Sequence, residues 1–107
     1  MFEAFADDRS RYASIGVVSS MPGELIDSIW YIIDYNLKGV FSLENLLTFS
    51  LMNNKGFVTM GYTHRESDID LTVDLPFKYV DGLPSEVQAY DDGSRETILL
   101  PSEIKQH

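Results

Sequence analysis

Cysteine is absent from this 107-residue chain, which excludes disulfides, iron–sulfur clusters and cysteine-ligated zinc. Basic residues are scarce. Eight Lys and Arg face seventeen Asp and Glu, a formal net charge of −9. Phosphate contacts need a basic surface, so direct binding to nucleic acid is disfavoured. Long apolar runs are missing too: no segment approaches the roughly 18 residues of a membrane span. The first eleven residues, MFEAFADDRSR, are acidic where a signal peptide is basic. The expectation is one domain, residues 1–107, that stays in the cytoplasm. Histidine offers no metal set, since His64 stands alone at a strand end and His107 is terminal. Neither a glycine-rich phosphate loop nor a nucleophile elbow is present. No catalytic residue, cofactor or metal site is expected.

What is present is one long helical pattern among strand-like runs. Over Pro22–Lys38, the residues Leu25, Ile26, Ile29, Trp30, Ile33 and Leu37 recur at helical spacing, and Ile32 widens the stripe. Ser19 and Ser20 are N-cap candidates, Pro22 suits the first helical position, and Gly39 suits the position after the C-cap. Upstream, Arg11–Ser19 is β-branched and aromatic and predicts a strand that buries Tyr12, Ile15, Val17 and Val18. Gly16 inside it marks a bulge or a close backbone approach. The first ten residues form an arm whose Phe2 and Phe5 can tuck onto the core.

Downstream, Leu46–Met52 and Phe57–His64 read as a hairpin around Asn53–Gly56, after a connection with a helical turn begun by Ser42. Ile69, Leu71, Val73 and Leu75 alternate with Asp68, Asp70, Thr72 and Asp74 up to Pro76, the cleanest period of two in the chain. A turn-rich loop from Phe77 to Ser85 precedes a second hairpin, Glu86–Tyr90 and Arg95–Leu100, around Asp91, Asp92, Gly93 and Ser94. Residues 102–107 are a tail. The fold class is α+β, with one long amphipathic helix packed on a mainly antiparallel sheet of five to six strands. Parallel crossovers are unavailable because no helix separates the later strands.

Three motifs bear on chemistry. Ser67-Asp68-Ile69-Asp70-Leu71 resembles the carboxylate strand of minimal nucleotidyltransferases, in which two aspartates one residue apart hold magnesium. That family's Gly-Ser and following helix have no counterpart here: Tyr62 follows Gly61, and only Thr63–Ser67 intervenes before Asp68. Asp68, Asp70, Thr72 and Asp74 imitate the start of a calcium loop, but Val73 and Tyr79 stand where glycine and a bidentate glutamate are needed. Glu103-Ile104-Lys105 has a nuclease-like spacing on a chain terminus.

Charge distribution supplies the lead. Between Glu66 and Glu96 lie nine acids and two bases. Alternate strand residues stand about 6.5–7 Å apart on one face, so Asp68, Asp70 and Asp74, with Asp91 and Asp92 at a hairpin tip, are the expected partner-binding residues. Such an array suits a basic channel built for phosphates. Arg11-Tyr12 with Gly16-Val17, Pro22 opening a helix with Trp30 at its middle, and the closing Thr97–Glu103 together resemble a small domain-of-unknown-function family of Gram-positive bacteria and their mobile elements. The resemblance implies a compact α+β fold and a bacterial or phage-related setting.

The resulting expectation is a non-enzymatic acidic interaction protein that occupies a basic, nucleic-acid-binding surface of a larger protein, with an anti-CRISPR-like inhibitor as its most concrete form. The alternatives are a metal-dependent nucleotidyltransferase using Asp68 and Asp70, and a structural homo-oligomer built on exposed Tyr31 and Tyr35.

Overall fold

The computed structural model describes residues 4–6, 9–40, 43–63 and 69–104. Among the described residues six strands form one sheet: β1 Ser10–Ala13, β2 Leu46–Asn54, β3 Phe57–Thr63, β4 Ile69–Lys78, β5 Glu86–Asp91 and β6 Arg95–Leu99. Their spatial order is β1-β6-β5-β2-β3-β4. Strands β2 to β4 are a meander, and β5 returns to lie beside β2, a Greek-key arrangement. The return is short because residues 79–85 round the β2–β3 end of the sheet. Tyr79 N donates to Gly56 O at its start, and Leu51 N donates to Ser85 O at its finish.

One face of the sheet is apolar. Leu47, Phe49 and Leu51 of β2, Val58, Met60 and Tyr62 of β3, Val87 and Ala89 of β5, and Ile98 of β6 are all buried. Against them lies α2, Gly23–Ile32, prolonged by a π-helical turn over Ile33–Leu37. Leu25, Ile29, Ile32, Ile33 and Leu37 are buried, and Ile26 and Trp30 pack at the margin, so the apolar stripe performs as its spacing implies. The helical stretch is fifteen residues long, shorter than Pro22–Lys38. Pro22 is the extended N-cap and not the first helical residue, and Gly39 ends the helix at φ +85°.

Several expectations give way. Arg11–Ser19 is not one strand: β1 ends at Ala13, and α1, Ile15–Ser20, follows. Ser14 caps α1 by accepting from Val17 N. Only Val17 of the expected core set is buried, whereas Tyr12, Ile15 and Val18 are exposed. Ser19 and Ser20 close α1 and cap nothing downstream; the Ser20 hydroxyl donates to Gly16 O. The close approach expected at Gly16 is real, since a Cβ there would stand 2.7 Å from Glu103 Oε2 and 2.9 Å from Leu100 Cδ1.

The sheet is antiparallel in four of its five pairings, but β1 runs parallel to β6. A parallel neighbour needs no crossover helix when the two strands come from opposite ends of the chain. The first hairpin loop is two residues, because Asn54 pairs with Phe57. Lys55 and Gly56 both have positive φ, as a type I′ turn demands. Strand β4 does not stop at Pro76. It is an edge strand, where a missing N–H is tolerated, and it continues through Phe77 and Lys78 with a register shift opposite Phe57 and Thr59. Of the arm, Phe5 is fully buried and Phe2 lies outside the described residues, as do Ser42, His64 and the end of the tail, Lys105–His107.

Candidate functional site

The expected partner-binding aspartates separate into different environments. Asp68 lies outside the described residues, and Asp70 occupies β4 next to Leu71. Asp74 is exposed on β4 and accepts from the Thr59 hydroxyl at 2.6 Å. Asp92 is exposed at the β5–β6 turn, where the backbone N–H groups of Arg95 and Ser94 hold its carboxyl below the usual range. Asp91 departs from the expectation, because its side chain has no solvent exposure. Its position alternates with Tyr90 and therefore points to the helix-covered face, so it cannot present charge to a partner.

Asp91 instead anchors a buried ionic network at the β1–β6–β5 end of the sheet. Its Oδ2 accepts from Phe5 N at 2.6 Å and Arg9 Nη1 at 3.0 Å, and its Oδ1 accepts from Gly93 N at 2.8 Å. Arg9 Nε also donates to Gly93 O. These bonds tie the N-terminal arm to the second hairpin, and they hold Phe5 at φ 61°, an uncommon conformation for a residue with a side chain.

The cross-strand partner of Asp91 is Glu96, and that of Glu96 on the other side is Arg11. Arg11 Nε donates to Glu96 Oε1 at 2.9 Å, while its two terminal nitrogens grip both oxygens of Asp34 at 2.9 and 2.6 Å. Lys38 reaches Asp34 from the next helical turn at 3.3 Å, and the Arg11 guanidinium lies 4.7 Å from the centre of the Trp30 ring. Arg11 is held above its ordinary pKa chiefly by the Asp34 hydrogen bonds, and Asp34 is correspondingly lowered by Arg11. Glu96 moves the other way, because burial outweighs the pull of Arg11. Its Oε2 is buried and has no hydrogen-bond partner among the described residues.

A second polar clasp sits beside it. Glu103, in a 3₁₀ turn over Pro101–Glu103, accepts from the Ser14 hydroxyl at 2.5 Å, Leu100 N at 2.8 Å and Gly16 N at 3.1 Å. These bonds hold its carboxyl below the usual range, the Ser14 hydroxyl most of all. The nuclease-like spacing around Glu103 therefore has a structural use: the carboxylate fastens the C-terminal segment to the start of α1.

Arg11-Tyr12, Gly16-Val17, Trp30 and Thr97–Glu103 are scattered in sequence but meet here. Tyr12 pairs with Thr97, Arg11 joins Glu96 to Trp30, and Gly16 abuts Leu100 and Glu103. A family model described as a staphylococcal protein of unknown function, DUF960, matches residues 10–103. The chain belongs to the DUF960 family. The crystal structure of a protein of unknown function from Enterococcus faecalis is 57% identical, with a TM-score of 0.93 over 99% of this chain and 100% of that one. No curated protein matches. The family model and the Enterococcus structure both point to Gram-positive bacteria, as the resemblance implied.

Sequence inspection missed the network. Its one local signal was Arg9 and Arg11 two residues apart, which places both on the same face of an extended segment. Among the described residues no group of three His, Asp or Glu side chains is gathered as a metal-ligand set. None of the described helices is long and apolar enough to cross a membrane.

Proposed function

We propose that the protein is a non-enzymatic interaction protein of the cytoplasm whose acidic surface occupies a basic, nucleic-acid-binding surface of a larger protein. An anti-CRISPR-like inhibitor carried by a phage or other mobile element is its most concrete form. The observation that supports this is where charge is spent. The interior network sets Arg9, Arg11 and Lys38 against Asp34, Asp91 and Glu96. Three cations cancel three anions there, so the whole excess of −9 belongs to residues outside the network. Exposed Asp74, Asp81, Glu86 and Asp92 carry part of it. A surface with that bias attracts a basic partner at long range and repels nucleic acid itself.

Partner capture from a Gram-positive lysate tests the proposal. The captured protein should release as salt rises, should be displaced by duplex nucleic acid, and should be lost with a combined Asp70→Asn, Asp74→Asn and Asp92→Asn variant. A partner indifferent to both salt and nucleic acid overturns it.

A further inference from the structure

The sheet face turned away from α2 carries one apolar row. Tyr12 of β1 stands opposite Thr97 of β6, Thr97 opposite Tyr90 of β5, and Tyr90 opposite Leu46 of β2. The row crosses four neighbouring strands with no break in register. Each member adjoins a residue turned toward the helix-covered face (Arg11, Glu96, Asp91 and Leu47), so all four share the outer face. Tyr12, Tyr90 and Leu46 are 51%, 40% and 37% exposed. Exposed apolar residues are ordinary when single, but here three stand in line.

Hydrogen-bond donors flank the row. The Arg95 guanidinium lies 5.8 Å from the centre of the Tyr12 ring, on a largely exposed side chain. Gln88, two residues before Tyr90 on the same face, donates one amide N–H to the Thr48 hydroxyl at 3.2 Å and keeps a second. The two phenol hydroxyls add to these. The row itself contains no carboxylate.

These features narrow the occupant. Single-stranded nucleic acid stacks on aromatic platforms but needs a basic groove, which a chain of net charge −9 does not offer. Sugar hydroxyls bring donors of their own. A second copy would set the same donors against each other.

A polyproline II segment complements the row. Proline has no N–H, so such a segment offers carbonyl acceptors and apolar rings. Its three-residue turn advances about 9.3 Å. Strands two apart are separated by about 9.4–9.8 Å, the interval between the Tyr12 and Tyr90 positions. Prolines three residues apart would therefore meet successive tyrosines, with Leu46 one strand further on. The chain's own Pro22, Pro76, Pro84 and Pro101 are too scattered to supply the segment. We propose that the outer row of Tyr12, Thr97, Tyr90 and Leu46 docks a proline-rich segment of another protein, in the polyproline II conformation and lying across the strands. This site goes beyond the acidic-surface function and uses none of its carboxylates.

The test is an amide NMR titration of the full chain with blocked, uncharged decaproline, beside a blocked Gly-Ser decapeptide. Decaproline should shift the amides of Tyr12, Leu46, Tyr90 and Thr97 and give NOEs from its rings to both tyrosines. Tyr12→Ser and Tyr90→Ser each remove an exposed ring and should weaken binding by at least about fivefold, the scale of one aromatic contact. Affinity should change by less than about twofold between low and high salt, because the probe is uncharged.

If the Gly-Ser peptide binds equally, or the shifts gather at the exposed Tyr31 and Tyr35, the proposal fails. Unchanged affinity in both serine variants overturns it, as does no shift at millimolar decaproline. The NOEs are read on the wild-type chain, so their absence from Tyr12 and Tyr90 overturns it even where a variant does not fold. All these failures leave the acidic-surface function standing, since that is read by salt-dependent capture of a basic partner.

Discussion

The two ends of the sheet handle charge in opposite ways. At the β1–β6–β5 end, Arg11, Asp91 and Glu96 turn toward the helix, where Arg11 pairs with Glu96 and Asp34, and Asp91 pairs with Arg9. At the β3–β4 end the apolar residues turn inward and Asp74 faces solvent. In one place ionic groups join distant segments of chain; in the other they leave the outer surface acidic. A carboxylate on a strand thus has either role, decided by what its face is packed against.

The largest effect should come from Arg11→Ala. It strips Glu96 and Asp34 of their shared cation, and breaking a buried pair costs about 3–5 kcal/mol. Urea denaturation should show a loss of that order, discounted toward its lower end by the partial exposure of Arg11. A loss under about 1 kcal/mol would erase the contrast between the two ends.

Gly16→Ala comes next. Its Cβ would collide with the Glu103 carboxylate, which three hydrogen bonds hold in place, so about 1–3 kcal/mol is expected. Removing that carboxylate with Glu103→Ala should make the two losses less than additive in a double-mutant cycle. Full additivity would show that Glu103 is not what Gly16 accommodates.

The pH response sharpens the comparison further. Asp34 is lowered, so its stabilisation is present above its ordinary value of 3.8 and is lost as pH falls through the lowered folded value. The advantage of wild type over Asp34→Asn should shrink in that window. Glu96 is raised, so ionising it costs stability as pH rises from its ordinary 4.5 through the raised folded value. The balance between wild type and Glu96→Gln should move toward Gln over that range. Chemical denaturation from pH 2.5 to 7 reads both slopes, and parallel curves would contradict them.

Smallest of all should be Asp74→Asn. Its carboxylate is exposed, and the amide oxygen can still accept from Thr59, so a change within about 0.5 kcal/mol is expected. A loss comparable to that of Arg11→Ala would mean that both ends use charge structurally.

The sequence by itself determined the elements whose period is local. The apolar stripe from Leu25 to Leu37 and the alternation from Leu71 to Leu75 each require one buried face, and each has one. The second hairpin was legible because Asp92 and Gly93 carry their own turn chemistry. Tertiary structure decided the rest. β-branched Ile15-Gly-Val-Val became a helix because Ser14 caps it and Glu103 binds its first turn. Pro76 stayed within a strand because β4 lies at an edge. Asp91 and Asp92 are adjacent in sequence and chemically alike, yet one is an interior anchor and the other a surface charge. Strand alternation opposes two neighbours, but only long-range packing says which face is covered. For Asp91 the answer came from Phe5 and Arg9, more than eighty residues away.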